Sequence, residues 1–321
     1  MSRTADASPR RARGEAPASF HPRKEVGWNG KRPPLTERAR RVRGLPRVTD
    51  QLVHVADVRS SGAVSRIIRW TRVAGRDPLP TYWFHAQDNL GDLLSPVTLS
   101  YVSGLTPALV SRHYAGKMLA VGSVLQNLQP GDIVWGAGAI RDVPIQPPPG
   151  VQFLAVRGPL TRNLIQADVP EVYGDPALLL PLFFRPATRP RCEIGLVPHA
   201  VDRAVMHSDD PNVRVIDVTG PWQETVSSIA SCEIVVSSSL HGIIVAEAYG
   251  VPAVWVRAGD RLTGGSFKFD DYYLSTGRDR RLPVDWNEGI TAAVRAAEPP
   301  PALDAGDLLD AWPPNLRAAR G

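Results

Sequence analysis

From about residue 51 onward the chain alternates short, β-branched apolar runs with longer amphipathic ones, joined by connections of only a few residues. This alternation restricts the fold more than any other feature. Strands that follow one another through helices run parallel, and a parallel sheet must be covered by helices on both faces. The runs predict strands at 81–85, 118–121, 132–135, 152–156 and 169–173, with helices at 92–103 and 159–167. A Pro-rich break at 185–191 interrupts the series. Beyond it, strands are expected at 193–197, 214–218, 233–237 and 253–256, and helices at 221–231 and 241–249. The fold class is therefore α/β: two Rossmann-like units, 51–185 and 191–285, facing across a cleft. Residues 286–321 hold helical stretches (within 285–319) broken by Pro299-Pro300-Pro301 and Pro313-Pro314. They are expected to brace one unit against the other.

Charge is distributed unevenly. Residues 1–50 carry 13 Lys/Arg against 5 Asp/Glu, so the formal +5 of the 321-residue chain hides a net +8 there and −3 over the rest. With runs such as Pro9-Arg10-Arg11-Ala12-Arg13 and no apolar periodicity, 1–50 reads as a disordered tail. It is either a solvated extension or a weak attachment to anionic lipid or nucleic acid. The body has no interleaved basic and aromatic platform, so specific nucleic-acid binding is not expected. The longest apolar runs, such as 177–184, fall short of the roughly 18 residues of a membrane span. No apolar core follows the N-terminal positive charges, so no secretory signal is expected. Cys192 and Cys232 lie in no C-x-x-C spacing and read as buried free thiols of a reducing cytosol. His85, His199 and His207 form no ligand spacing, so structural or solvent roles are expected for them and no metal is required. The expected location is the cytoplasm, with at most peripheral membrane contact through the tail.

The most informative stretch is Ser237-Ser238-Ser239-Leu240-His241-Gly242. It follows a buried-strand pattern and opens a helix that ends at Gly250, with Pro252 beyond. A loop at the carboxyl end of a parallel strand is where ligands of open α/β sheets bind. The free N–H groups of a helix start attract anions. Ser237, Ser238 and Ser239 add hydroxyl donors, Gly242 permits close approach to the backbone, and a histidine there can give or take a proton near neutrality. An ordinary serine-capped helix explains the same residues. Arg157, at the end of the strand before Gly158-Pro159, reads as a bidentate anion clamp or as a surface arginine. Asn89 and Asp92, in the first strand-to-helix turn, read as ligand-binding groups or as turn and cap residues. Asp175 reads as a base for a hydroxyl or as a turn carboxylate. Tyr272 and Tyr273 read as a sugar platform or as packing.

Taken together, Asn89-Leu90-Gly91-Asp92, Val134-Trp135-Gly136-Ala137-Gly138, Val156-Arg157-Gly158-Pro159-Leu160-Thr161, Gly174-Asp175-Pro176-Ala177, Ser237 to Gly242 and Gly264 to Tyr273 resemble the polysaccharide pyruvyl transferases, most closely the branch that modifies bacterial exopolysaccharides. The resemblance spans most of 80–280. It implies transfer of pyruvate from phosphoenolpyruvate, the donor substrate, onto two hydroxyls of a sugar in a polysaccharide or glycolipid precursor, giving a cyclic ketal and phosphate without a cofactor. It also implies a fold like that of GT-B glycosyltransferases. His241 maps onto the family's Leu-His-Gly histidine and is expected to be the proton donor, with Arg157 assisting phosphate departure. Asn89, Asp92, Gly136, Asp175, Ser238, Ser239 and Gly242 are expected to line the substrates. Some members have Arg before Leu-His-Gly, where this chain has Ser239; Lys268 or Arg278 is expected to supply the missing cation. A nucleotide-sugar glycosyltransferase is the rival reading, and a nonenzymatic anion-binding protein using the tail is a second.

Overall fold

The computed structural model describes residues 78–316, apart from 87–88, 188 and 261–262. The expected tail at 1–50, the first unit's start at 51–77, Asp88, and residues 317–321 at the carboxyl end lie outside the described residues.

Two five-stranded sheets follow one another along the chain. The first contains β1 (Pro78–Thr81), β2 (Thr106–Leu109), β3 (Met118–Leu119), β4 (Ile133–Trp135) and β5 (Gln152–Ala155) in the order β2-β1-β3-β4-β5. The second contains β6 (Cys192–Val197), β7 (Val213–Val215), β8 (Cys232–Ser237), β9 (Ala253–Arg257) and β10 (Val284–Asp285) in the order β10-β9-β8-β6-β7. Every strand pairing is parallel. The α/β expectation holds. Counted within itself, each sheet has the same order, 2-1-3-4-5. Each chain path first steps to one side of its opening strand and then crosses to the other. The crossing makes a switch point between β1 and β3 and another between β6 and β8, and such points are where loops diverge and leave a crevice.

Local departures from the expected strands follow from proline. β1 lies at Pro78–Thr81 rather than 81–85. The Tyr82 N–H donates to Met118 O at 3.0 Å, so even-numbered residues of this stretch point toward β3. Pro78 and Pro80 point the same way, and β3 meets β1 only at Thr81, so the missing N–H groups cost no ladder bond. β2 contains Pro107 and was not expected; it sits at the sheet edge, where proline is tolerated. The strand expected at 169–173 contains Pro170 and contracts to a bridge between Val156 and Tyr173.

The helices are α1 (Leu90–Ser103), α2 (Pro159–Leu164), α3 (Leu180–Phe183), α4 (Trp222–Ala230), α5 (Leu240–Ala248), α6 (Phe267–Ser275), α7 (Ile290–Arg295) and α8 (Gly306–Asp310). α5 is apolar nearly all round and is buried from Leu240 through Glu247, as a helix of that composition must be. It closes as a Schellman motif: Gly250, at φ 72°, donates to Glu247 O at 2.9 Å, and Val251 donates to Ala246 O at 2.9 Å. One apolar cluster joins Leu94, Ile243, Trp255 and Trp312 with both sheets. The carboxyl-terminal segment packs on the first sheet. Trp135 donates its indole N–H to Leu308 O at 2.8 Å and meets the Trp312 ring edge-on at 4.9 Å.

Candidate functional site

Both switch points carry residues singled out from the sequence, and the two sets meet. α1 starts just beyond β1 with Asn89 as its N-cap. α5 starts just beyond β8 with Ser239 as its N-cap, and no side chain caps its first N–H groups. The His241 ring lies against Gly91, where a Cβ would come within 2.0 Å of Nδ1. On its other side, His241 Nε2 is 3.3 Å from Asp175 Oδ2. Asp175 is fully buried, and its Oδ1 accepts the Ala177 N–H at 2.9 Å. One oxygen thus caps the turn, as the turn reading had it, and the other meets the imidazole, a contact neither reading anticipated.

Asp92 and His199 feel the charge of His241, and Lys268 acts on both of them. Burial pushes the Asp92 carboxyl up to about 6, against the pull of His241, the Asn89 side chain, Lys268 and the Phe84 backbone. Burial pushes Lys268 down to about 8, helped by nearby Arg157 and opposed by Asp92 and Asp202. Burial, then Lys268 and His241, push His199 down to about 4. A cluster so perturbed at a switch point has the character of a reaction site. Asn89 donates to Asp92 Oδ2 at 3.1 Å, while its Oδ1 is buried with no hydrogen-bond partner among the described residues. His199 had been expected to be structural or solvent-facing. It follows the carboxyl end of β6, across the switch point from the serine run, and its position on that strand edge was the available signal. His85 and His207 are exposed.

The serine run is largely occupied. Ser237 Oγ lies 2.8 Å from Val197 O and accepts the Ser239 N–H at 3.0 Å, and Ser238 Oγ accepts the His199 N–H at 2.9 Å. These hydroxyls shape the loop. Gly242 does not face open space: a Cβ there would lie 2.4 Å from Ser237 Oγ and 2.8 Å from Val197 Cγ1. Its small size lets α5 press onto the sheet. Gly242→Ala is expected to cost about 1–3 kcal/mol by overpacking, measurable as a lower urea midpoint. Gly136, at φ 88°, similarly faces Pro176 and seats the turn that carries Asp175.

Arg157 is neither a surface residue nor an open clamp. It is fully buried; Nε donates to Asp271 Oδ2 at 2.9 Å, Nη1 to Ser123 Oγ at 2.6 Å and Nη2 to Ala139 O at 2.8 Å. Asp271 also accepts the Thr161 N–H at 2.9 Å and the Thr161 hydroxyl at 2.6 Å. Gly138 and Gly158 leave room for this knot; a Cβ on either would strike Arg157 or Asp271. The two candidate cations also separate. Arg278 grips Glu247 at 2.7 and 2.8 Å and covers the Tyr273 ring at 4.6 Å. Lys268 faces the His241 cluster. Tyr272 and Tyr273 are buried, Tyr272 donating to Glu247 at 2.6 Å, so they pack the interior and present no platform. Among the described residues no group of His, Cys, Asp and Glu is arranged to hold a metal ion, and no helix is long and apolar enough to cross a membrane.

Residues 149–259 match the model of the polysaccharide pyruvyl transferase family, a span that contains Arg157, Asp175, His199 and His241. The chain is 29% identical over 224 residues to the succinoglycan biosynthesis protein ExoV of Rhizobium meliloti (strain 1021), covering 64% of this chain and 68% of that protein. It is 39% identical over 138 residues to the uncharacterized protein L143 of Acanthamoeba polyphaga mimivirus, covering 39% of this chain and 48% of that one. The chain thus spans about half of the mimivirus relative and about two thirds of the rhizobial one. No solved structure matches it significantly.

Proposed function

We propose that this chain, whose residues 149–259 match the polysaccharide pyruvyl transferase model, moves pyruvate from phosphoenolpyruvate onto two hydroxyls of one sugar in a cell-surface polysaccharide or glycolipid precursor, in the cytoplasm. The two sheets would form the halves of a GT-B-like fold. The observation that carries the reading is the His241–Asp175 pair at 3.3 Å, set between two switch points, with Lys268 acting on the neighbouring Asp92 and His199.

Phosphoenolpyruvate carries a carboxylate and a phosphate, so its pocket calls for cationic and N–H donors. In this reading the uncapped start of α5 and Lys268 supply them. His241 gives a proton to the methylene carbon, which becomes a methyl group, and positive charge develops at C2. One sugar hydroxyl attacks C2. The C2–O bond to phosphate then breaks, and the second hydroxyl closes the ketal. The two hydroxyls release two protons: one restores His241 and the other leaves with phosphate. Asp175 holds the imidazole in orientation, and Asn89 Oδ1 accepts from an acceptor hydroxyl. Arg157 acts as a positioning residue, fixing α6 and thereby Lys268.

The direct test is phosphate release from phosphoenolpyruvate with a panel of lipid-linked and soluble glycans. Turnover of a nucleotide sugar instead, with nucleotide release, would place the chain with the glycosyltransferases. A pH prediction follows from Lys268. It loses its proton above about 8, so the KM for phosphoenolpyruvate is expected to be level below that pH and to rise above it. Lys268→Arg, which stays charged, should move that rise to higher pH. Lys268→Met should raise the KM about 10- to 100-fold, the worth of one hydrogen bond to a charged group, whereas Arg278→Met should leave it level.

A further inference from the structure

A concavity of the structure is lined by none of the groups so far assigned to the reaction. It has a volume of about 610 Å³ and is lined by Arg141 and Asp142 from the loop after β4, Asn163 from α2, and Phe267, Asp270 and Arg280 from α6 and the chain beyond it. We propose that this cavity binds the acceptor glycan, taking up uncharged sugar residues that flank the one modified. The inference rests on the reading of a sugar acceptor and deepens it.

The size is that of a small-molecule site, since such pockets run from about 300 to 1,000 Å³. Its wall is fixed: Gly264, at φ 86°, presses so closely on Ile140 O that a Cβ there would lie 1.9 Å from it. The lining chemistry selects a class of ligand. Two guanidinium groups and two carboxylates balance, so neither an anion nor a cation is favoured overall. Guanidinium groups only donate hydrogen bonds, carboxylates only accept, and the Asn163 amide does both. A ligand that must satisfy all of them needs many groups able to donate and accept at once, which describes a polyol. Phe267 adds an aromatic surface, the usual complement to the C–H face of a sugar ring. The Asp270 carboxyl is buried, its acidity weakened by that burial against the pull of Ser266 and Arg280, so it gains from a hydroxyl donor.

The placement fits a division of labour along one helix. Phe267 and Asp270 line the cavity, Lys268 faces the His241 cluster, and Asp271 ties α6 to Arg157. The cluster holds the cationic groups suited to a doubly anionic donor, and the cavity holds the balanced set suited to a neutral chain of sugars.

The test is saturation-transfer NMR on the full chain with neutral tetrasaccharides (cellotetraose, laminaritetraose and β-1,4-galactotetraose), together with steady-state kinetics. Asn163 and Arg280 are exposed, so Asn163→Trp, which fills the cavity, and Arg280→Ala should fold normally. At least one probe should show transfer to the native chain, and each variant should weaken its binding about tenfold or more, the worth of a single lost polar contact or more. The KM for the acceptor should rise in step while the KM for phosphoenolpyruvate stays level. Binding of a tetrasaccharide that neither variant alters, or no transfer to any of the three probes, overturns the proposal. If tetrasaccharide binding depends on Asn163 but phosphoenolpyruvate yields no phosphate with any acceptor, pyruvyl transfer falls and the cavity stands.

Discussion

His241→Gln in the full chain is expected to lower kcat for phosphate release from phosphoenolpyruvate by about 10²–10⁴-fold, the usual contribution of a positioned general acid. The KM for the donor should change far less, because the imidazole acts on the methylene carbon and not on the two anionic groups. Glutamine keeps a donor near Asp175 and a similar reach past Gly91, so the urea midpoint should stay close to that of the native chain. A buried ring that only filled space would give the opposite pattern, with lost stability and near-normal turnover. Asp175→Asn separates orientation from proton transfer. It should reduce kcat less than His241→Gln does, and the double variant should be no slower than His241→Gln alone.

The second large effect is on stability. Asp271→Ala is expected to destabilise the protein by about 3–5 kcal/mol, because it leaves the fully buried Arg157 charge without its counter-ion. The Thr161 N–H and hydroxyl lose their acceptor at the same time. Urea denaturation at neutral pH measures the loss. Replacing both partners, as in Arg157→Met with Asp271→Leu, should recover a large part of it, since removing a whole buried pair costs far less than breaking one. Activity should not recover with the double change, because α6 is then no longer tied to the end of β5 and Lys268 loses its setting. An Asp271→Ala chain as stable as the native one would remove Arg157 from the positioning role.

What was legible in the sequence was local. The β8-loop-α5 unit could be read because its signals lie within 20 residues: the β-branched run before Ser237, the Gly250 stop and Pro252. The parallel α/β class could be read from the alternation of runs. What was not legible depended on partners distant in the chain. Lys268 and Arg278 are both cations in one stretch, and only the tertiary placement of Glu247 removes Arg278 from consideration. Arg157 carries a motif's sequence but is buried under Asp271, 114 residues away. His199 lacks a local signal beyond its strand edge, and β2 was concealed by a proline that an edge position tolerates. α6 is short and follows two glycines; Phe269, Tyr272 and Tyr273 at i, i+3 and i+4 mark its buried face, but its contribution to both sides of the site emerged only in three dimensions.

The docking of Leu308 and Trp312 on Trp135 bears on how the polypeptide matures during synthesis. The indole at the end of β4 belongs to the earlier of the two described sheets, yet its lid is made about 170 residues later. Until residues 308–312 have been made, that aromatic face lacks its cover, and a holding chaperone would have its foothold in that interval.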